Sequence, residues 1–102
     1  MDLPDKNETL EVWLVQVHGR VQGVGFRDTC IRYARGQGIT GWVRNRIDDS
    51  VELMLQGSKR QLADMCIWLR HGIPAARVDR LEVSEVPLPA PRLDNFDRLP
   101  TL

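Results

Sequence analysis

The chain has 102 residues, enough for one hydrophobic core and too few for two. Its 14 basic and 14 acidic side chains cancel, which argues against binding nucleic acid or an anionic membrane by neutralising many phosphates. No apolar run approaches the roughly 20 residues of a membrane-spanning helix, and the polar N-terminus is unlike a signal peptide. We therefore expect one cytoplasmic, monomeric domain over residues 1–102, with residues 1–9 as a flexible tail.

The first half of the chain predicts a strand, a loop, a helix and a second strand. Leu10–His18 is a nearly continuous apolar run, as in a central strand. A glycine-rich loop follows it. From Phe26 to Gly36 the apolar residues recur at helical spacing, and the closing glycines indicate the helix end. Ile39–Arg46 then reads as the second strand.

The second half predicts a hairpin, a second helix and two further strands. Asp48-Asp49-Ser50 is a turn sequence, and Val51–Gln56 alternates as a third strand. Gly57-Ser58 opens the second helix, which Gly72 ends. Arg77–Val86 is the fourth strand. Three prolines then force an irregular connection to a short closing segment around Leu93–Arg98.

This order of elements predicts an α+β fold, the ferredoxin-like split βαβ sandwich. The pattern is βαββαβ plus a short fifth strand, with an antiparallel sheet and two helices on one face. In this topology the glycine loop and the end of the second strand share one edge of the sheet. With the third strand between them, they are about two strand spacings apart, roughly 9 to 10 Å. A phosphate and a water molecule fit that gap.

The loop over residues 19–27 has the composition of an anion cradle. Gly19, Gly23 and Gly25 permit positive φ, so that backbone N–H groups can converge on one point. A helix start adds free N–H groups, and Arg27 adds a planar fork that matches phosphate oxygens. A cation in the first helical turn costs roughly 0.3 to 1 kcal/mol, so local stability does not explain Arg27. Asp28 is a partial counterweight.

Other polar side chains have weaker signals. Asn45 ends the second strand facing Arg27 across the gap, although asparagine near a hairpin is also ordinary turn chemistry. Arg20 is either a solvated loop charge or a phosphate ligand. His18 has no second His, Cys or carboxylate at ligand spacing, so we predict no metal site and no cofactor.

The two cysteines read as buried, reduced thiols. Cys30 and Cys66 each lie on the apolar stripe of a predicted helix. A cysteine-dependent phosphatase needs an arginine six positions after its cysteine, where this chain has Gly36 and Gly72. That class of phosphatase is disfavoured.

Two segments, GRVQGVGFR at 19–27 and GWVRN at 41–45, closely resemble the two signature segments of the acylphosphatase family. They occur in order and at the right separation, and the similarity extends from about Leu10 to Phe96. The resemblance implies hydrolysis of small acyl phosphates to a carboxylate and inorganic phosphate, without a metal or a phosphoenzyme. It also implies that Asn45 orients the attacking water. The groups implied to bind phosphate are the backbone of Gln22, Gly23, Val24, Gly25 and Phe26 and the guanidinium of Arg27.

The chain departs from the family pattern at two places. Asp49 stands where the family usually has a glycine in the hairpin, which predicts strain in that turn. The family commonly ends in a regular strand after a late phenylalanine. Here Phe96 is followed by Pro100, which cannot continue a ladder of hydrogen bonds.

Two alternatives stay open from the sequence. One is an acylphosphatase-like module acting on carbamoyl phosphate, as found at the start of a hydrogenase-maturation carbamoyltransferase. The other is a non-catalytic RNA-binding domain of the same fold. The balanced charge and the absence of an aromatic RNA-binding segment argue against the second.

Overall fold

The computed structural model describes residues 9–102 and contains every predicted element. The predicted tail over residues 1–9 lies, except for Thr9, outside the described part of the chain. Within that part, no helix is long and apolar enough to cross a membrane. The elements in chain order are β1 Leu10–Arg20, α1 Phe26–Gly36, β2 Thr40–Asn45, β3 Val51–Ser58, α2 Lys59–His71, β4 Arg77–Glu85 and β5 Phe96–Arg98.

The strands form one sheet in the order β4-β1-β3-β2-β5. Strands β1 to β4 pair antiparallel, as predicted, and β3 lies between β1 and β2. The short β5 instead pairs parallel to β2, which corrects the expectation of a wholly antiparallel sheet at this edge. The chain leaves β4 at the end of the sheet where β2 begins. After crossing to the far edge it therefore runs in the same direction as β2.

The side chain of Gln56 holds the crossing segment between β4 and β5. Its Nε2 donates to the Pro91 carbonyl at 2.6 Å, and its Oε1 accepts from the Leu93 N–H at 2.9 Å. Gln56 is buried and lies opposite Val12 near the start of β1. The connection is thus fixed at the end of the sheet opposite the glycine loop, and β5 is delivered to the free edge of β2.

Both helices cover one face of the sheet and share a single core with it. Cys30 and Cys66 are free and buried in this core, which confirms the prediction for both thiols. Burial raises the pKa of each thiol, and for Cys66 nearby Arg70 opposes the increase in pKa. Helix residues in the core include Phe26, Cys30, Ala34, Leu62, Met65, Cys66 and Leu69.

The β2–β3 turn is closed by side-chain hydrogen bonds to Asp48. Its Oδ1 accepts from the Ser50 N–H at 3.0 Å and from Ser50 Oγ at 2.5 Å, and these bonds lower the pKa of the Asp48 carboxyl. Asp49 has φ 73°, a left-handed conformation that non-glycine residues rarely adopt. The strain predicted for this position is therefore present.

Replacing Asp49 with glycine removes this strain. We expect Asp49→Gly to raise the free energy of unfolding by about 0.5 to 1 kcal/mol, because glycine has no Cβ to oppose a left-handed φ. Asp49→Ala should lower it, because alanine tolerates this conformation less well than aspartate. Urea unfolding followed by tryptophan fluorescence measures both changes. A glycine variant less stable than the parent chain would contradict the interpretation.

Candidate active site

The start of α1 is uncapped, in contrast to the start of α2. Ser58 and Gln61 form a capping box at α2, with Ser58 Oγ accepting from the Gln61 N–H and Gln61 Oε1 from the Ser58 N–H. At α1 the N-cap is Gly25, which offers no side-chain acceptor. The first hydrogen bond of this helix runs from the Thr29 N–H to the Gly25 carbonyl at 3.2 Å.

The backbone N–H groups just before Thr29 remain free. Within residues 9–102, the backbone N–H groups of residues 22–28 donate to no protein acceptor. Free N–H groups at a helix start carry the positive end of the helix dipole and attract anions. The loop and helix start are therefore able to act as the anion cradle predicted from the sequence.

The three loop glycines have two different roles. Gly23 and Gly25 are exposed and left-handed, with φ 76° and 73°, and open space surrounds the position of a Cβ. Their left-handed conformation is what requires glycine. Gly19 lies within β1, where a Cβ would collide with the Arg77 carbonyl of β4. It permits close strand packing instead of shaping the cradle.

Arg27 is half-buried in the first turn of α1 and has no partner within the described residues. Two other arginines of the same helix do have partners. Arg32 Nη2 donates to Thr29 Oγ1 at 3.4 Å, and Arg35 Nη2 donates to the Phe96 carbonyl at 3.0 Å. The guanidinium of Arg27 is therefore the one on α1 that remains available to a ligand.

Asn45 lies at the same end of the sheet as the glycine-rich loop, and its side chain faces the helices. It pairs with Val51 of β3, which in turn pairs with Val17 of β1, so these three residues share one face of the sheet. Two strand spacings, about 9 to 10 Å, separate Asn45 from β1 just before the loop. Among residues 9–102, nothing donates to the buried Oδ1 of Asn45. This atom is an unused acceptor beside the cradle.

The C-terminal residues fix the backbone of β2 up to Asn45. The Leu99 N–H donates to the Val43 carbonyl at 2.9 Å, and the Leu102 N–H donates to the Asn45 carbonyl at 3.1 Å. The regular strand β5 ends at Arg98, as expected from Pro100. Hydrogen bonding to β2 nevertheless resumes on the far side of this proline.

The side chain of Gln22 joins the loop to the β2–β3 hairpin. Its Nε2 donates to the carbonyls of Arg46 and Ser50, each at 2.8 Å. Sequence reasoning assigned only the backbone of Gln22, because nothing local indicates that its side chain meets a turn formed later in the chain. These two bonds place the cradle against the turn that directly follows Asn45.

The arginines on either side of Asn45 point away from it. Arg44 and Arg46 alternate with Asn45 along the chain, and both approach Glu52 on the sheet face opposite the helices. Arg44 Nη2 lies 2.7 Å from Glu52 Oε1, and Arg46 Nη1 lies 3.5 Å from it. These charges neutralise a buried carboxylate and do not line the cradle.

The remaining polar residues singled out from the sequence lie apart from the cradle or have other partners. Arg20 is exposed at the end of β1, opposite Arg77. His18 Nε2 lies 2.7 Å from Glu82 Oε1, but the two groups are not aligned for a hydrogen bond.

No cluster of His, Cys, Asp or Glu between residues 9 and 102 is arranged to hold a metal ion. Asp28, predicted as a partial counterweight to Arg27, lies in the first turn of α1 and forms an ion pair with Arg98 of β5.

Known proteins are similar to this chain over most of its length. A family model described as acylphosphatase matches residues 13–97. The chain belongs to the acylphosphatase family. It is 74% identical to an acylphosphatase of Polaromonas naphthalenivorans (strain CJ2), a match that covers 96% of this chain and 97% of the relative. It is 62% identical to acylphosphatase 1 of Ralstonia nicotianae, over 87% of each chain.

A solved acylphosphatase has the same fold. The crystal structure of acylphosphatase from Bacillus subtilis superposes with a TM-score of 0.82 at 31% identity. The match covers 89% of this chain and 99% of that one. The family resemblance of the two sequence segments is thus confirmed over nearly the whole chain.

Removal of the Gln22 side chain tests the link between loop and hairpin. We expect Gln22→Ala to lower the free energy of unfolding by about 1 to 2 kcal/mol, because the Arg46 and Ser50 carbonyls each lose a hydrogen bond. Gln22→Glu should be more destabilising, since a carboxylate would face these carbonyls. The exposed Gln37→Ala is the control, expected within about 0.5 kcal/mol of the parent in urea unfolding. Equal stability of the parent and Gln22→Ala would show that these bonds are not formed.

Proposed function

We propose that this protein is an acylphosphatase that hydrolyses the carboxyl–phosphate anhydride of small acyl phosphates, releasing a carboxylate and inorganic phosphate. The observation that carries the proposal is a set of three groups without protein partners, at the end of the sheet where Gln22 joins the loop to the hairpin. These are the free N–H groups at the start of α1, the unpaired guanidinium of Arg27 and the unpartnered Oδ1 of Asn45. Close relatives named acylphosphatase support it.

The cradle binds the phosphoryl group. The backbone N–H groups of residues 22–26 surround its oxygens, and Arg27 binds two oxygens with its planar fork. One unit-charge pair at 4 Å contributes roughly 4 kcal/mol at an effective dielectric constant of about 20. If this energy acted only on the transition state, it would correspond to about a thousandfold in rate.

Asn45 positions the attacking water. Its Oδ1 accepts one hydrogen of the water, which directs a lone pair of the water oxygen at phosphorus. Pairing with β3 and the hydrogen bond from Leu102 hold its backbone, so the acceptor is oriented before substrate arrives. The carboxamide thus contributes to the reaction by geometry and not by charge.

The proton of the water passes to an oxygen of the substrate's own phosphoryl group. Three nearby carboxylates have other partners: Asp48 is bonded to Ser50, Asp28 pairs with Arg98, and Glu52 pairs with Arg44 on the opposite face of the sheet. An acyl phosphate has a carboxylate as its leaving group, so it needs little acid assistance. Positioning and electrostatic stabilisation are then sufficient for catalysis.

We further propose that the enzyme is monomeric and cytoplasmic, uses no metal or cofactor and binds no nucleic acid. The balanced charge of the chain supports the last point, since nucleic-acid affinity depends on neutralising phosphates.

Assays of benzoyl phosphate and carbamoyl phosphate, each with a chelator present, test the substrate class and the metal requirement together. We expect hydrolysis of benzoyl phosphate to persist. Turnover of carbamoyl phosphate alone, or salt-dependent RNA binding without turnover, would favour the alternatives.

Arg27→Gln tests the phosphate site. We expect the variant to lose inorganic phosphate binding in calorimetry and at least about a thousandfold in kcat/KM, because the principal positive charge is removed. Arg32→Gln, on the same helix, is the matched control and should behave like the parent chain. Phosphate binding that survives in Arg27→Gln would refute the site.

Asn45→Ala tests the separation of binding from catalysis. We expect kcat to fall about a hundredfold or more, because the water loses its orientation. Affinity for inorganic phosphate should change less than threefold, since the cradle is intact. Asn95→Ala, on the exposed connection, is the control. A loss of phosphate affinity that matches the loss of rate would show that Asn45 binds the anion instead.

A further inference from the structure

An ion pair joins the end of β5 to the first turn of α1. Arg98 Nη2 contacts Asp28 Oδ1, and the two side chains are 45% and 59% exposed. Ion pairs this exposed typically contribute 0 to 1 kcal/mol to stability. Stability therefore gives little reason for this contact, and its position suggests another role.

Asp28 places a negative charge beside the anion cradle. It directly follows Arg27 and lies in the helical turn whose free N–H groups form the cradle. Consecutive Cα atoms are about 3.8 Å apart, so the Cα atoms of Asp28 and Arg27 lie well within one Debye length, roughly 8 Å at physiological ionic strength. Neighbouring residues on a helix do not face each other, so Arg27 is poorly placed to neutralise Asp28. A free Asp28 carboxylate would repel a bound phosphate.

Strand β5 is docked so that Arg98 reaches this carboxylate. Arg35 of α1 donates to the Phe96 carbonyl at 3.0 Å and lies 3.8 Å from Asp97 Oδ1, which ties the strand to the helix. Arg98 is in register with Val43, two residues before Asn45. The guanidinium therefore stands at the same end of the sheet as the cradle.

We propose that Arg98 is a positioning residue for anion binding, which neutralises Asp28 and so maintains the positive potential of the cradle. This inference rests on the proposed phosphate site. Asp28 retains its favourable place at the positive end of the helix dipole, while its charge is cancelled from β5. Arg98 itself does not touch the substrate, so its effect is on binding and not on the chemical step.

The test removes the charge of Arg98 and then that of Asp28. In Arg98→Gln we expect the dissociation constant for inorganic phosphate and the KM for benzoyl phosphate to rise about three- to tenfold at low salt, with kcat within twofold of the parent. Asp28→Asn introduced into Arg98→Gln should restore both values, and Arg98→Lys should largely retain them. The effect should shrink at high ionic strength, because salt screens exposed charges.

Controls separate this inference from the proposed function. Arg92→Gln makes the same charge change on the crossing segment at the opposite end of the sheet and should leave phosphate affinity unchanged. Unchanged affinity in Arg98→Gln, alongside lost binding in Arg27→Gln, would overturn this inference alone. A fall in kcat as large as the rise in KM, with neither value restored by Asp28→Asn, would show a merely structural role. Phosphate binding that persists in Arg27→Gln would instead remove the proposed site.

Discussion

The site depends on the placement of β3 between β1 and β2, reinforced by the side chain of Gln22. The cross-strand row of Val17, Val51 and Asn45 sets the distance between the glycine loop and the end of β2. The two hydrogen bonds from Gln22 then hold the loop against the hairpin that follows Asn45. A shift of one residue in either pairing would turn Asn45 to the wrong face, because side chains alternate along a strand.

The proposed phosphate site accounts for the local rules that the start of α1 breaks and the start of α2 obeys. The second helix has a capping box, whereas the first has a left-handed glycine, free N–H groups and a cation in its first turn. Each of these features costs helix stability, and burial of Phe26 and Cys30 in the core offsets the cost. An anion bound at this helix start would satisfy the same groups. Local conflicts of this kind are typical of functional sites, which supports the proposed phosphate site.

The edge strand and the residues after it contact both halves of the proposed site. Leu102 holds the backbone of Asn45, and Arg98 pairs with Asp28 beside the cradle. Both contacts depend on the path by which the chain crosses the sheet, which Gln56 fixes at the opposite end. The irregular C-terminal part of the chain thus supports the residues of the proposed site.

The sequence by itself determined the order of the elements, because this order depends on local patterns and on a topology with few alternatives. It also predicts Arg27 and Asn45 as site residues, through the glycine-rich loop and the family resemblance. Only the tertiary structure decided the parallel direction of β5, the side-chain role of Gln22 and the ion pair between Arg98 and Asp28. These contacts join residues far apart in the chain: 24 and 28 positions separate Gln22 from its two acceptors. No local propensity encodes such a contact, since it forms only when the packed sheet and helices bring its partners together.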